Sequence, residues 1–241
     1  MAKYTLDQLA RMIDHTNLKA DALDEDLEKL CEEAKKYHFA MVAVNQIQSP
    51  TCAKFLAGTD ILVGAAIAFP LGQTSIKAKA FETEDAINIG ASEIDYVIHI
   101  GKARGGDWDY IKREMASVVE VCRKYDVISK VIFENCYLTD DQLIKLCEIA
   151  SEVKPDFIKT STGMAPGGAT LADVTLMRKH VADVVQVKAS GGVRTADMFL
   201  DMLRNGVTRV GTSSGVAIIE EIKKHYFANG EKHLELLKKL N

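Results

Sequence analysis

The sequence predicts an α/β protein built as a single (β/α)8 barrel, and three observations carry that prediction. Short β-branched runs alternate with amphipathic stretches along the whole of the 241 residues. The runs are mostly apolar throughout rather than alternating, as strands buried on both faces are. There are eight of them, and eight strand–helix units in about 250 residues is the size of a closed barrel. A doubly wound open sheet is the competing architecture. No linker rich in Pro, Gly or Ser and no block of like charge divides the chain, so residues 1–241 read as one domain.

In chain order, Met1–Ala10 reads as a short helix covering the bottom of the barrel. The strands are Met12–Thr16, Ala40–Asn45, Ile61–Phe69, Glu93–Ile100, Ser129–Glu134, Phe157–Thr162, Val185–Ser190 and Arg209–Thr212. Between the first two, residues 23–38 place Leu23, Leu27, Leu30, Cys31 and Ala34 on one helical face. Residues 108–125 and 138–153 repeat that pattern, with charges opposite. Ser49, Thr74, Asp107, Thr139 and Thr195 stand where helix N-caps belong, and Gly58, Gly90 and Gly206 where helices stop. Val216–Asn241 supplies the last helix and a basic tail end.

Composition removes several classes of function. Thirty Lys and Arg against thirty-four Asp and Glu give a formal charge of −4, which argues against a nucleic-acid partner held by bulk charge. No apolar run reaches the ~20 residues of a membrane span, and the first residues lack the apolar stretch of a secretory signal. Five scattered cysteines, with no CxxC pair, predict reduced thiols and a cytoplasmic protein. The six histidines show no HxH or HxxxH spacing, so neither a metal nor any other cofactor is expected.

The informative residues are charges inside apolar strands. Lys159 lies in FIKTST and Lys188 in VQVKAS, one βα repeat apart and both toward the C-terminal ends of their strands. Those ends form the catalytic face of such barrels. Lysine is seldom buried without a partner, and two close cations depress each other's pKa. An amine freed near neutral pH attacks a carbonyl to form a Schiff base. Asp95, in EIDYVIHI, supplies a carboxylate able to move protons for that chemistry or to pair with the lysines. Glu134 and Lys130 share a further strand, and Asp14, His15 and Thr16 end the first. His99 has the strand parity of Asp95 but reads as a wall residue.

Three glycine-bearing loops follow the late strands: STGMAPGG (161–168), ASGGVRT after Lys188, and GTSSG (211–215). Paired glycines let backbone amides approach an anion, and a following helix N-terminus adds positive potential. The loops after strands seven and eight are the usual phosphate site of a barrel. Ser213, Ser214 and Arg194 add side-chain donors there.

The segments IDHTNLK (13–19), IAFPLG (67–72), GASEIDYVIHIG (90–101), KVIFEN (130–135), DFIKTSTG (156–163), GGAT (167–170), VKASGGVRT (187–195) and GTSSGVAI (211–218) resemble the deoxyribose-phosphate aldolase family, in order over nearly the whole chain. The resemblance implies a TIM barrel and a metal-free class I aldolase that joins acetaldehyde to D-glyceraldehyde 3-phosphate. It implies Lys159 as the Schiff-base lysine, Lys188 as the lysine that lowers its pKa, and Asp95 as the proton relay. It places Thr162, Gly163, Gly191, Gly192, Val193, Arg194, Gly211, Ser213 and Ser214 on the phosphate loops, and Asp14 and Thr16 in the site near the second lysine and a sugar hydroxyl. Its implied partners are small phosphosugars and aldehydes, and its relatives are often homodimers.

The chain departs from the family pattern at Ala43, Gln46, Ala68, His99, Asn135 and Met164, where relatives commonly carry Cys, Pro, Gly, Asn, Thr and Lys or Phe. The tyrosine near the end of some relatives has no counterpart in KKLN. Adaptation toward other aldehydes and plain lineage drift both stay open. So do two other functions: a sister Schiff-base aldolase acting on a keto-sugar phosphate, and a phosphosugar-binding barrel without turnover.

Overall fold

Buried apolar runs joined by amphipathic helices must pair in parallel and cover both faces. The computed structural model, which describes residues 2–236, shows that arrangement. β1 (Ala2–Tyr4) and α1 (Leu6–Ala10) come first. Eight units follow: β2 (Ile13–Thr16) and α2 (Asp24–Tyr37), β3 (Met41–Asn45) and α3 (Ser49–Phe55), β4 (Leu62–Ile67) and α4 (Ile76–Asn88). Next are β5 (Glu93–Val97) with α5 (Ile100–Arg104) and α6 (Trp108–Lys124), β6 (Ile128–Ile132) and α7 (Asp140–Val153), β7 (Phe157–Lys159) and α8 (Leu171–His180). β8 (Gln186–Ser190) and α9 (Ala196–Arg204), then β9 (Arg209–Thr212) and α10 (Gly215–Tyr226), complete the set, and β10 (Leu234–Leu236) ends it. Strands β2 to β9 form a closed parallel barrel, sealed where Ile13 of β2 pairs with Val210 of β9.

The main apolar core lies between the barrel and its helices. Outward residues such as Val42, Ile94, Val131, Ile158 and Val210 meet the predicted faces of α2, α6 and α7. Strand residues two apart share a face, so the opposite parity points into the lumen. There the chain places Asp14, Glu93, Asp95, Lys130, Lys159, Lys188 and Arg209, with Met41 and Ala43 filling space between them. Gly64 is a glycine because Met41 fills its lumen side: a Cβ there would lie 2.4 Å from the Met41 sulfur.

Several expectations are corrected at the element ends. β4, β5, β6 and β7 stop at Ile67, Val97, Ile132 and Lys159, earlier than read. Ala68 and Glu134 turn the chain in the left-handed region, with φ of 50° and 57°, and neither is a glycine that would announce a turn. Ser75, not Thr74, caps α4, accepting from the Ala78 N–H at 3.2 Å. Ser49 begins α3 rather than capping it. Leu23 is an exposed cap residue and not part of the buried face of α2. Met1–Ala10 is not all helix, since Ala2–Tyr4 pairs antiparallel with Leu234–Leu236. The tail end at 237–241 lies outside the described residues. Among the described residues no helix is long and apolar enough to cross a membrane.

The N-terminal end of the barrel is tied by one histidine. His38 ends α2 in the left-handed conformation, φ 56°. Its Nδ1 lies 2.6 Å from Asp7 Oδ1 on α1, and its Nε2 3.1 Å from Asp60 ahead of β4. Hydrogen bonds to Asp7 and then Asp60 raise the His38 pKa. A raised folded pKa gives stability that is full below the unfolded value and is lost as pH rises through the folded one. Asn tolerates the same backbone. His38→Asn is therefore expected to lower Tm more at pH 6 than at pH 9, checked by thermal melts at both.

Candidate active site

A lysine beside an aspartate explains little until the whole lumen is followed. Asp95 Oδ1 accepts from Lys130 Nζ at 2.8 Å. Lys130 also pairs with Glu93. Both Glu93 oxygens accept from the Arg209 guanidinium, at 3.1 and 3.0 Å. Arg209 Nε donates to Asp14 Oδ1 at 2.7 Å. Asp14 Oδ2 lies 2.5 Å from Lys188 Nζ, and Lys188 donates to Asp95 Oδ2 at 2.6 Å. The path closes on itself. Six groups form a ring of alternating charge, three anions and three cations at their ordinary ionisation. Contacts such as Asp95 to Lys188, between non-adjacent β5 and β8, are possible only through the lumen.

Lys159 is the seventh group and is outside the ring. Its Nζ donates to Asp95 Oδ2 at 2.7 Å, on the oxygen that Lys188 also uses. The two lysines are register partners on β7 and β8. Burial is the largest effect on Lys159. Asp95 works against it, Lys188 adds to it, and the amine settles at about 8. Two close lysines point to Lys188 as the main cause, but burial outweighs it. Burial also pushes Asp95 toward neutrality, yet Lys130, Lys159 and Lys188 overcome it and hold the carboxyl well below its usual range. Asp14 behaves alike: Arg209 and Lys188 outweigh burial and bring it to about 2.

Above this layer the barrel opens into a cavity of about 450 Å³. Its floor is the next inward step of the strands, two residues beyond ring members: Thr16 past Asp14, Ser190 past Lys188 and Gly211 past Arg209. Gly211 is also needed for the ring, since a Cβ there would lie 3.3 Å from Lys188 Cε and 2.8 Å from Ser190 Oγ. Thr162, Gly163, Met164, Gly191, Gly192, Val193, Arg194 and Ser213 complete one side, and Lys19, Lys29 and Glu33 the other. Thr162 is pinned twice by the buried Glu134, whose carboxylate accepts from its N–H at 3.1 Å and from its hydroxyl. Burial raises the pKa of Glu134, and those two bonds work against the rise.

Among the expected substrate-binding residues, Asp14 and Ser214 do not line the cavity. Asp14 is fully buried in the ring, two residues below Thr16 on the same face of β2, with its Oδ2 2.5 Å from Nζ of Lys188, the second lysine. Ser214 caps α10 behind the wall, its N–H held by Thr212 Oγ1 at 2.9 Å. Sequence reasoning missed Thr212, Ser190, Glu93 and Arg209. The last two are charges at the first residues of β5 and β9, where the signal that found the lysines is weakest. His99 is a helix cap, its Nδ1 accepting from the Lys102 N–H at 3.2 Å. Gln46 bonds Asp85 on α4 at 2.5 Å, and Asn135 donates to Met177 Sδ at 3.3 Å, both away from the cavity.

The two anion-loop candidates are locked by backbone contact. Ala169 N–H donates to Ser190 O and Gly191 O at 3.1 and 3.0 Å. A Cβ on Gly168 would fall 2.4 Å from Gly191 O. Gly191 itself has φ 83° and lies against Gly163. Gly168→Ala is expected to destabilise the protein by about 1–3 kcal/mol, read by denaturant unfolding, while Gly192, with nothing within 4 Å, resists change only through its φ of 81°.

Comparison with known proteins agrees with this arrangement. A family model described as DeoC/LacD family aldolase matches residues 7–222. A deoxyribose-phosphate aldolase of Lactobacillus acidophilus is 60% identical over 221 residues, 92% of this chain and 93% of that protein. One from Bacteroides thetaiotaomicron is 50% identical over 224 residues, 93% and 94% of the two chains. The structure of a deoxyribose phosphate aldolase from Aeropyrum pernix, described as a unique tetramer, superposes with a TM-score of 0.85 at 28% identity, covering 91% of this chain and 92% of that one. With its closed parallel barrel and a match that spans it, the chain belongs to the DeoC/LacD family of aldolases.

Proposed function

We propose that the chain cleaves 2-deoxy-D-ribose 5-phosphate reversibly to acetaldehyde and D-glyceraldehyde 3-phosphate, through a Schiff base on Lys159. The observation that carries this reading is the buried Lys159 amine, brought to about 8 and hydrogen-bonded to Asp95 in a charge-matched lumen whose next inward residues, Thr16, Ser190 and Gly211, line a polar cavity. The relatives' names supply the substrate.

Read in the cleavage direction, the Lys159 amine adds to the aldehyde carbon of the open-chain sugar, and water leaves as the iminium forms. A base takes the proton of the 3-hydroxyl, the bond between carbons 2 and 3 breaks, carbon 3 becomes the aldehyde of D-glyceraldehyde 3-phosphate, and the electron pair of that bond passes to the iminium nitrogen as an enamine. Protonation of the enamine carbon and hydrolysis release acetaldehyde. Asp95 is within 2.7 Å of Lys159 and 2.6 Å of Lys188, so one carboxylate oxygen can pass a proton between the two amines. Thr16 lines the cavity at the sugar end, and Gly191, Gly192, Val193, Arg194, Gly211 and Ser213, with Thr162 and Gly163, offer the phosphate backbone N–H groups ahead of α9 and α10. That remote anion binding orients the reacting carbon.

The reading extends to the setting. Residues 1–241 act as one catalytic domain, in the cytoplasm, which five unpaired thiols support. The assembly is a homodimer, with exposed Ile47 and Phe81, 75% and 71% accessible, flanking the Gln46–Asp85 bond as apolar surface for a second copy.

Borohydride reduction in the presence of acetaldehyde tests the central step. An adduct mapped to Lys159 by mass spectrometry, and absent from Lys159→Ala, is the expected result. An adduct only with a keto-sugar phosphate would assign the chain to the sister reaction, and none with either would remove the enzyme reading. Below about 8 the amine is protonated and cannot attack. The kcat/KM for cleavage is therefore expected to fall about tenfold per pH unit on that acid limb.

A further inference from the structure

We propose that Glu93 and Arg209 are positioning residues for the reaction: they close the lumen ring from its far side and so fix both the orientation of Asp95 and the charge that Lys159 faces. The proposal rests on the Schiff-base reading of Lys159. Neither residue is among those lining the cavity, and their contacts run to Asp14 and Lys130.

The geometry assigns the work. Asp95 has two oxygens and three lysines on them. It stays put because Lys130 and Lys188 are each held from behind, Lys130 by Glu93 and Lys188 by Asp14. Glu93 and Asp14 would repel, and the Arg209 guanidinium joins them. The far side is thus an anchor for the two cations that aim Asp95 at Lys159. It also sets the count. Ring charges cancel, so a proton on Lys159 adds an unmatched positive charge to the lumen.

The charged groups around Lys159 are Asp95 from β5, Lys130 from β6, Lys188 from β8, Asp14 from β2, and Glu93 and Arg209 behind them. Glu134 approaches from beyond β6 through Thr162. Lys159, Lys188 and Arg209 are in register on consecutive strands. Two strand spacings put Arg209 about 10 Å from Lys159. At that distance, with an effective dielectric constant of about 20, one unit charge moves a protonation midpoint by about one on the pH scale.

The test uses Glu93→Gln, Arg209→Met and the double variant. In each, the pH midpoint of cyanoborohydride trapping of acetaldehyde on Lys159 is measured, alongside thermal unfolding, kcat and KM. Glu93→Gln is expected to lower the midpoint by about one, Arg209→Met to raise it by about one, and the double variant to return to the wild-type value within a few tenths. Folded single variants with an unmoved midpoint, or with both midpoints moved the same way, would overturn the proposal. If either single variant fails to fold, Glu93→Asp and Arg209→Lys keep the charge and loosen the anchor. They are expected to lower kcat severalfold at an unchanged KM and midpoint, and a wild-type kcat in both would overturn the proposal. Absence of a Lys159 adduct in the wild type is a different result, which removes the Schiff-base reading itself.

Discussion

The closed ring Asp95–Lys130–Glu93–Arg209–Asp14–Lys188 is the constraint on which the site depends. A barrel lumen of this size is ordinarily filled with branched apolar side chains. Here its middle layers carry charged side chains that are almost fully buried. Taking one charge into such a place is costly, and a buried pair seldom returns more than it costs. A ring in which every charge has two opposite neighbours meets that requirement, and it leaves no member free to relax toward an added proton. Lys159 is the seventh group in a space matched for six. Its burial and the company of Lys188 and Lys130 then push its proton off despite the nearby Asp95.

The mouth is built on a different principle. Above the ring the cavity wall is largely glycine-bearing backbone, and what lets its loops meet is the absence of side chains. Gly163, Gly168 and Gly191 let two loops touch backbone to backbone, and Gly211 leaves room for Lys188 below. Thr162 and Thr212 fasten the two loop ends, to Glu134 and to Val193 O. On the proposed reading the lumen sets the chemistry of one amine and the loops hold the substrate's anion, and strands running two residues beyond the ring layer connect the two.

Much of this was legible in the sequence. Eight apolar runs predicted the barrel, and charges inside two of them predicted Lys159 and Lys188 as neighbours. Glu93 and Arg209 escaped the same reasoning because each begins its strand, where a charge draws no notice. Strand order alone does not say which layer of the lumen Asp14 occupies. Its contacts with Lys188 and Arg209 place it in the ring, one inward step below Thr16. The pairing of Ala2–Tyr4 with Leu234–Leu236 left no periodic signal, being three residues long at each end of the chain. Strand ends were overrun where non-glycine residues, Ala68 and Glu134, make the turn.

The central claim is that burial beside the matched ring lowers the Lys159 amine from the ordinary lysine value to about 8. Its most direct test is an NMR titration of protein with 15N-labelled lysine side chains, the Lys159 signal being the one missing from Lys159→Met. The account predicts a midpoint near 8 for that signal. A midpoint at the ordinary lysine value of about 10.4 would contradict it.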